Sequence, residues 1–116
     1  MRRSVHEEIF AVLSGIEALT GVFDGQAPDG QPGPYAVIGQ TQELQGRLLN
    51  DSERKLYTDI HIWSSYQGKA EILAILDAIE SAMPENYLFE DCQVIKDDAS
   101  GWQHGVLTWR VYFERS

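Results

Sequence analysis

The possible folds of this sequence are constrained most by two stretches in which mostly apolar side chains occupy every second position. In residues 56–63 and 105–114 this set alternates with polar and aromatic residues. The predicted inward residues are Leu56, Thr58, Ile60 and Ile62 in the first stretch, and Leu107, Trp109, Val111 and Phe113 in the second. Because a period of two places successive side chains on opposite faces, each stretch predicts a strand with one buried face.

Two other stretches repeat apolar residues at steps of three and four, which predicts amphipathic helices. The first covers residues 4–20, with a capping box from Ser4 to Glu7 at its start and Gly21 as its stop. The second covers residues 65–83, with Ser64 as a candidate cap and Pro84 beyond its end.

Turn residues divide the rest of the chain. Residues 24–34 predict a loop, residues 35–42 and 88–95 predict strands, and residues 97–101 predict a turn. Residues 43–54 are either a long hairpin loop or two strand ends around a mobile tip. The order α-β-β-α-β-β predicts an α+β fold, in which about four antiparallel strands form a single layer and both helices pack on one face. One domain covers residues 1–116.

Composition excludes several classes of protein. The chain has 116 residues, with Lys+Arg 9, Asp+Glu 18 and a formal net charge of −9. This acidity argues against a general nucleic-acid binder and against an anionic-membrane surface, because both need clustered basic residues. No apolar run reaches the roughly 20 residues that span a bilayer. Cys92 has no partner for an internal disulfide, and its spacing from Leu88 and Val94 predicts a small buried residue on one strand face.

Candidate catalytic residues are sparse, which predicts that the protein is not an enzyme and has no cofactor. Asp59 and His61 lie two apart and share a strand face, which is half of a metal site or of an acid–base pair. His104 is assigned to a distant turn, and His6 to the solvated side of the first helix. An ordinary polar sheet face is therefore the favoured interpretation of the pair.

Large aromatic residues lie on the face opposite the predicted core. They are Tyr57 and Trp63 on one strand and Tyr112 on the last strand. Since helices cover one side of the sheet, a neighbouring subunit is one way to shield them. Scattered surface aromatics are an equally good explanation.

The ordered set of segments resembles the tail completion (tail terminator) proteins of long-tailed bacteriophages, prophages and gene transfer agents. The segments are PYAVIG (34–39), LYTDIHIWS (56–64), GKAEILAILDAI (68–79) and HGVLTWR (104–110). The resemblance implies a small α+β protein that forms a ring, a hexamer, on the head-proximal end of the tail tube. Such a ring stops tube growth and joins the head. The implied location is the virion tail, after assembly in the bacterial cytoplasm, and no catalytic, cofactor or metal residue is carried over.

The resemblance also suggests partners and contact residues. The partners are further copies of the chain, the major tail tube protein and a head completion or connector protein, while DNA passes through without specific binding and no membrane is involved. Candidate contacts to a neighbouring subunit or the tube are Leu44, Arg47, Leu48, Leu49, Tyr57, Trp63 and Tyr112. Candidate acidic residues lining the channel are Glu43, Asp51, Glu53, Glu90, Asp91, Asp97 and Asp98.

Three alternatives remain open at this stage. One is a head–tail adaptor at the same junction. A second is a small metal- or ligand-binding enzyme domain that uses Asp59, His61 and His104. The third is an acidic mimic of DNA that inhibits a toxin.

Overall fold

The computed structural model describes residues 2–49 and 52–114, which form two helices and five strands. The helices are α1 (Arg2–Ser14) and α2 (Ala70–Ala82). The strands are β1 (Val22–Asp24), β2 (Tyr35–Gln45), β3 (Glu53–Ser64), β4 (Tyr87–Lys96) and β5 (Gln103–Glu114). The predicted α+β class is confirmed. Within the described residues, neither helix combines the length and apolar character needed to cross a membrane.

The sheet has the strand order β1-β2-β3-β5-β4. The four longer strands pair antiparallel, whereas β1 pairs with β2 in parallel. The prediction of about four purely antiparallel strands was therefore one strand short. β1 has three residues, which is too short for an alternating pattern to be visible in the sequence.

The predicted alternation describes the core correctly. Ile60 and Ile62 of β3 and Leu107 of β5 are at most 1% exposed and face the helices. The two helices contribute buried residues to the same cluster. At Gly105, an added Cβ would lie 3.1 Å from Ile72 Cδ1, so the glycine allows α2 to approach the sheet closely.

α1 is shorter at its C-terminal end than predicted. It ends at Ser14, and residues 15–20 form turns from which Ile16 and Leu19 still pack against the core. The chain leaves the helix early because Thr20 N–H donates to Pro34 O and Gly21 O accepts from Ala36 N–H, which aligns β1 with β2. Gly21 is thus not the helix stop. Since α1 begins at Arg2, Ser4 lies inside the helix and not at the predicted capping position.

α2 is also shorter than predicted, because residues 65–69 lie outside it. Its N-cap is Lys69, which makes no side-chain capping hydrogen bond. Ser64 remains in β3, where its hydroxyl donates to Glu71 Oε1 at 2.6 Å and accepts from Tyr66 N–H at 3.3 Å. Pro84 follows the helix end, as predicted.

Residues 43–54 contain strand ends, so the long-loop alternative was wrong. β2 continues to Gln45, β3 begins at Glu53, and Gly46 N–H donates to Glu53 O at 3.0 Å. β5 pairs with β3 along this hairpin as far as Glu114, whereas β4 pairs with β5 only as far as Val111. The ends of β2, β3 and β5 therefore project beyond β4 as an arm, in a molecule of 50 × 25 × 21 Å.

A bulge in β4 changes which side chains share a face. The register shifts between Phe89 and Asp91, so Leu88 lies opposite Arg110 on the helix-free face and Cys92 lies opposite Leu107 on the helix side. The predicted common face of Leu88 and Cys92 was wrong for this reason. Cys92 is also exposed and not buried, since it lies on the edge strand.

Two adjacent residues of α2 allow a test of which face of this helix is buried in the core. Ile72 is fully buried and Leu73 is 46% exposed. We expect Ile72→Ala to lower the free energy of unfolding by about 2–5 kcal/mol, because it leaves a cavity under the helix. Leu73→Ala is the matched control and should cost about 1 kcal/mol or less. Urea denaturation measures both, and equal losses would contradict the assigned orientation of α2.

Candidate assembly interface

The sheet face that carries no helix is built by alternate residues of the central strands. Odd-numbered residues of β3 and even-numbered residues of β5 point to this open face, because their neighbours fill the core. The predicted placement of Tyr57, Trp63 and Tyr112 opposite the core is thus confirmed. The open face is half-buried along both strands, so its side chains cover one another.

A stack of three rings occupies one part of the open face. The Trp63 and His104 rings lie 3.9 Å apart at 5°, and the His104 and His61 rings lie 5.0 Å apart at 21°. His61 Nδ1 and His104 Nε2 are 2.8 Å apart, a hydrogen bond in which one nitrogen carries the proton. Burial, and secondly the charge of His61, lower the pKa of His104, so the neutral ring is favoured.

Assigning His104 to a distant turn was wrong. β5 begins at Gln103, and His104 lies directly opposite Trp63 in the ladder. The period-two pattern of β5 extends back to this residue, which is the sequence signal that could have revealed it.

Asp59 and His61 share the open face of β3, as predicted, and the less favoured interpretation of the two as an acid–base pair gains no support from their hydrogen bonds. Asp59 Oδ1 instead accepts a hydrogen bond of 3.0 Å from Thr108 Oγ1 on the neighbouring strand. In the part of the chain that the structure describes, no three His, Cys, Asp or Glu side chains gather as a metal site.

The arm brings several of the predicted contact residues together. Arg47 donates to Glu53 through its backbone N–H at 2.9 Å and through Nε and Nη2 at 3.2 and 2.9 Å. Its guanidinium carbon also lies 3.9 Å from the centre of the Tyr112 ring. Hydrogen bonds from Arg47 lower the pKa of Glu53, which keeps that carboxylate ionised.

Apolar side chains at the arm are left exposed. Leu44, Leu48 and Leu49 are 40%, 50% and 101% exposed. Leu44 lies opposite Lys55, which lies opposite Tyr112, so all three are on the open face. Trp63 is at the other end of β3, and Tyr57 lies between the two, opposite Arg110, so the predicted contact residues are spread along the sheet.

Three of the predicted channel acids lie beside arginines. Glu43 is paired with Arg2 and also lies 3.5 Å from Arg54 Nε, on the helix side of the arm. Glu53 is held by Arg47, and Glu90 lies 3.6 Å from Arg110 Nε. These pairs reduce the local negative charge that the channel prediction assumes.

The remaining channel acids lie mostly on β4 and the turn that follows it. Asp97 Oδ2 accepts hydrogen bonds from Ser100 N–H and Oγ–H, which lower the pKa of Asp97. Asp91 and Asp98 are exposed. Asp51 lies outside the described residues. The lining of a channel by these groups stays a prediction.

The outer edge of β4 is a surface that the sequence analysis missed. β4 is the last strand of the sheet, and no described strand pairs with its outer edge. Leu88, Phe89 and Ile95 on this strand are 39%, 50% and 58% exposed. Two pairs of adjacent apolar residues, at 88–89 and 94–95, were the available signal, because they put apolar groups on both faces of one strand.

The family model described as "Tail completion protein gp17" matches residues 7–114. The chain belongs to this family. The resemblance found in the sequence is therefore confirmed, and this tail completion protein is a structural component of tail assembly, located in the virion tail. No curated protein matches the chain at a significant level.

Two solved structures share the fold over nearly the whole chain. A chain of the "Virion of native gene transfer agent (GTA) particle" is 16% identical with a TM-score of 0.72, covering 96% of this chain and 92% of that one. The "Structure of bacteriophage SPP1 gp17 protein" is 20% identical with a TM-score of 0.53, covering 94% and 85%. At these identities the likeness establishes the fold.

The ring stack predicts a pH dependence of stability for this tail completion protein. Because the pKa of His104 is lower in the folded chain than its ordinary 6.5, the unfolded chain binds more protons below that pH. The free energy of unfolding should therefore fall as the pH is lowered from about 7 to about 5, above the range in which most carboxylates titrate.

His104→Gln should reduce this dependence, as measured by urea denaturation at both ends of the range. His6→Gln is the control, since it removes a histidine of α1 outside the stack. A dependence that is the same in wild type and His104→Gln would contradict the assignment.

Proposed function

We propose that this tail completion protein forms a ring on the head-proximal end of a tail tube, stops tube growth and supplies the surface that joins the head. A ring of identical subunits needs two different surfaces on each protomer, which meet in a head-to-tail sense. The observation that carries the proposal is that two different surfaces, the arm and the outer edge of β4, expose apolar side chains and could serve this purpose. The role requires no catalysis.

The two surfaces differ in chemistry as well as in place. The arm exposes Leu48 and Leu49, next to the ion pair between Arg47 and Glu53. The β4 edge offers backbone groups for strand pairing together with exposed Phe89 and Ile95. An exposed edge strand with apolar side chains is a site of further association unless it is protected. Docking the arm of one copy against β4 of the next would cover both surfaces.

The excess of Asp and Glu over Lys and Arg suits a ring through which DNA passes. Since cationic groups bind phosphates with release of counterions, a bore that lacks them lets DNA slide. Asp91 and Asp98 are the best candidates for the lining, because Glu43, Glu53 and Glu90 lie beside arginines. In this proposal the partners are further copies of the chain, a tail tube protein and a head connector.

The double variant Leu48→Asp/Leu49→Asp tests the use of the arm. We expect it to abolish ring particles in native mass spectrometry and electron microscopy, because two buried charges would oppose docking. Its midpoint of thermal unfolding should stay within a few degrees of wild type, since both residues are exposed. Gln26→Asp, which adds a charge on an exposed loop, is the control and should leave rings intact. Rings formed equally well by the double variant would rule out the arm as a contact.

Tube-length measurements separate capping from an adaptor role. Tail tubes polymerised from tail tube protein should stop growing when the wild-type protein is added, and the arm variant should have no such effect. Unchanged growth together with capture of the head connector alone would instead identify a head–tail adaptor.

A further inference from the structure

A cavity lies at the end of the sheet opposite the arm. It has a volume of about 440 Å³ and opens between the loop that precedes β2 and the turn that joins β4 to β5. Its principal side chains are Tyr35, Trp63, Trp102, Asp29, Asp97 and Gln31. This volume is within the roughly 300–1,000 Å³ of typical small-ligand sites.

The aromatic walls of the cavity are held by their neighbours. The Tyr35 ring meets the edge of Phe23 and of Trp102, with centres 6.0 Å apart in each pair. Trp63 is fixed by its stack on His104. Trp102 packs so closely on Gly33 that an added Cβ there would lie 3.1 Å from the indole. The rings are thus positioned before any ligand arrives.

The loop that forms the other wall is fastened to the body of the protein. Thr20 Oγ1 lies 2.7 Å from Pro32 O and 2.9 Å from Pro34 O. Gln31 Nε2 donates to Thr20 Oγ1 at 3.2 Å. These bonds fasten residues 31–34 to Thr20. Gln31 N–H also donates to Pro28 O at 3.2 Å, and the turn that this bond closes carries Asp29 at the cavity beside the aromatic rings.

The charged side chains that line the cavity are acidic. Among the residues that the structure describes, two aspartates line it and no Lys or Arg does. Hydrogen bonds from Ser100 lower the pKa of Asp97, so this residue is ionised at neutral pH. His104 beneath Trp63 adds no positive charge there, because its pKa is lowered by burial. Aromatic rings beside carboxylates attract cations through both the ring quadrupole and the full charge.

We propose that this cavity binds a lysine or arginine side chain on an extended basic segment of a neighbouring virion protein. The volume admits one such side chain together with adjoining backbone. In a second copy of this chain, the described arginines (Arg2, Arg3, Arg47, Arg54 and Arg110) already lie in ion pairs with carboxylates. A contact between copies would therefore have to use a lysine, such as the exposed Lys69 or Lys96, and the assembly experiment below distinguishes that source. The identity of the partner rests on the proposed function, whereas the preference for a cation does not.

The preference is tested with two small peptides. Acetyl-Gly-Arg-Gly-amide carries the cation, and acetyl-Gly-citrulline-Gly-amide has nearly the same shape without charge. We expect the arginine peptide to bind about tenfold more tightly. It should shift the indole N–H signals of Trp63 and Trp102 in nuclear magnetic resonance spectra and leave that of the buried Trp109 unchanged.

A matched pair of variants tests the position of the site. Asp29→Asn should weaken arginine-peptide binding severalfold, whereas Asp98→Asn, which removes the same charge from an exposed position outside the lining, should not. Equal binding of both peptides, equal effects of both variants, or indole shifts confined to other residues would overturn the proposal.

Ring assembly of Asp29→Asn, followed by native mass spectrometry, separates this inference from the proposed function. Rings that form normally place the cavity outside the contacts between copies, as we expect. Loss of rings would make the cavity a contact between copies and overturn the choice of partner. If the wild-type protein bound the arginine peptide but formed no rings, the cation site would be supported and the proposed ring would be refuted.

Discussion

β3 pairs with β5 without interruption from Glu53↔Glu114 to Ser64↔Gln103, and the other elements take their positions from this ladder. Both helices pack on one face of the two strands and form the core there, and the other face carries the stacked side chains of Trp63, His104 and His61. β2 and β4 are added at the two sides. Because the ladder is longer than β4, the same pairing also creates the arm. The core, the open face and the proposed assembly surface therefore depend on one register, and a slip of one residue would exchange the two faces.

Much of this organisation could be predicted, because the two central strands alternate cleanly. Leu56, Ile60 and Leu107 lie where a period of two places them. β1 could not be predicted, since a three-residue parallel strand exists only through pairing with β2. The early end of α1 has the same origin, because backbone bonds from Thr20 and Gly21 to the start of β2 override the helical pattern.

The candidate site was less accessible from the sequence than the fold. The aromatic residues opposite the core and the apolar residues of the arm were visible as residue types, but their positions along the sheet depend on register. The bulge after Phe89 reversed the expected face of Leu88, and the edge position of β4 exposed Cys92. The cavity joins residues far apart in the chain, Asp29 and Trp102, which no local spacing connects. The numbers of acidic and basic residues likewise could not show that Glu43 and Glu53 lie in ion pairs.

The fastening of the arm has a consequence for the thermodynamics of association. Joining two proteins costs the conformational entropy of every side chain and backbone segment that becomes ordered at the contact. The base of the arm is already ordered in the single subunit, by three paired strands and by Arg47 held between Glu53 and Tyr112. The entropy cost of ordering this base is thus met during folding of the subunit. In the proposed ring, more of the free energy from burying Leu48 and Leu49 would therefore remain to favour association.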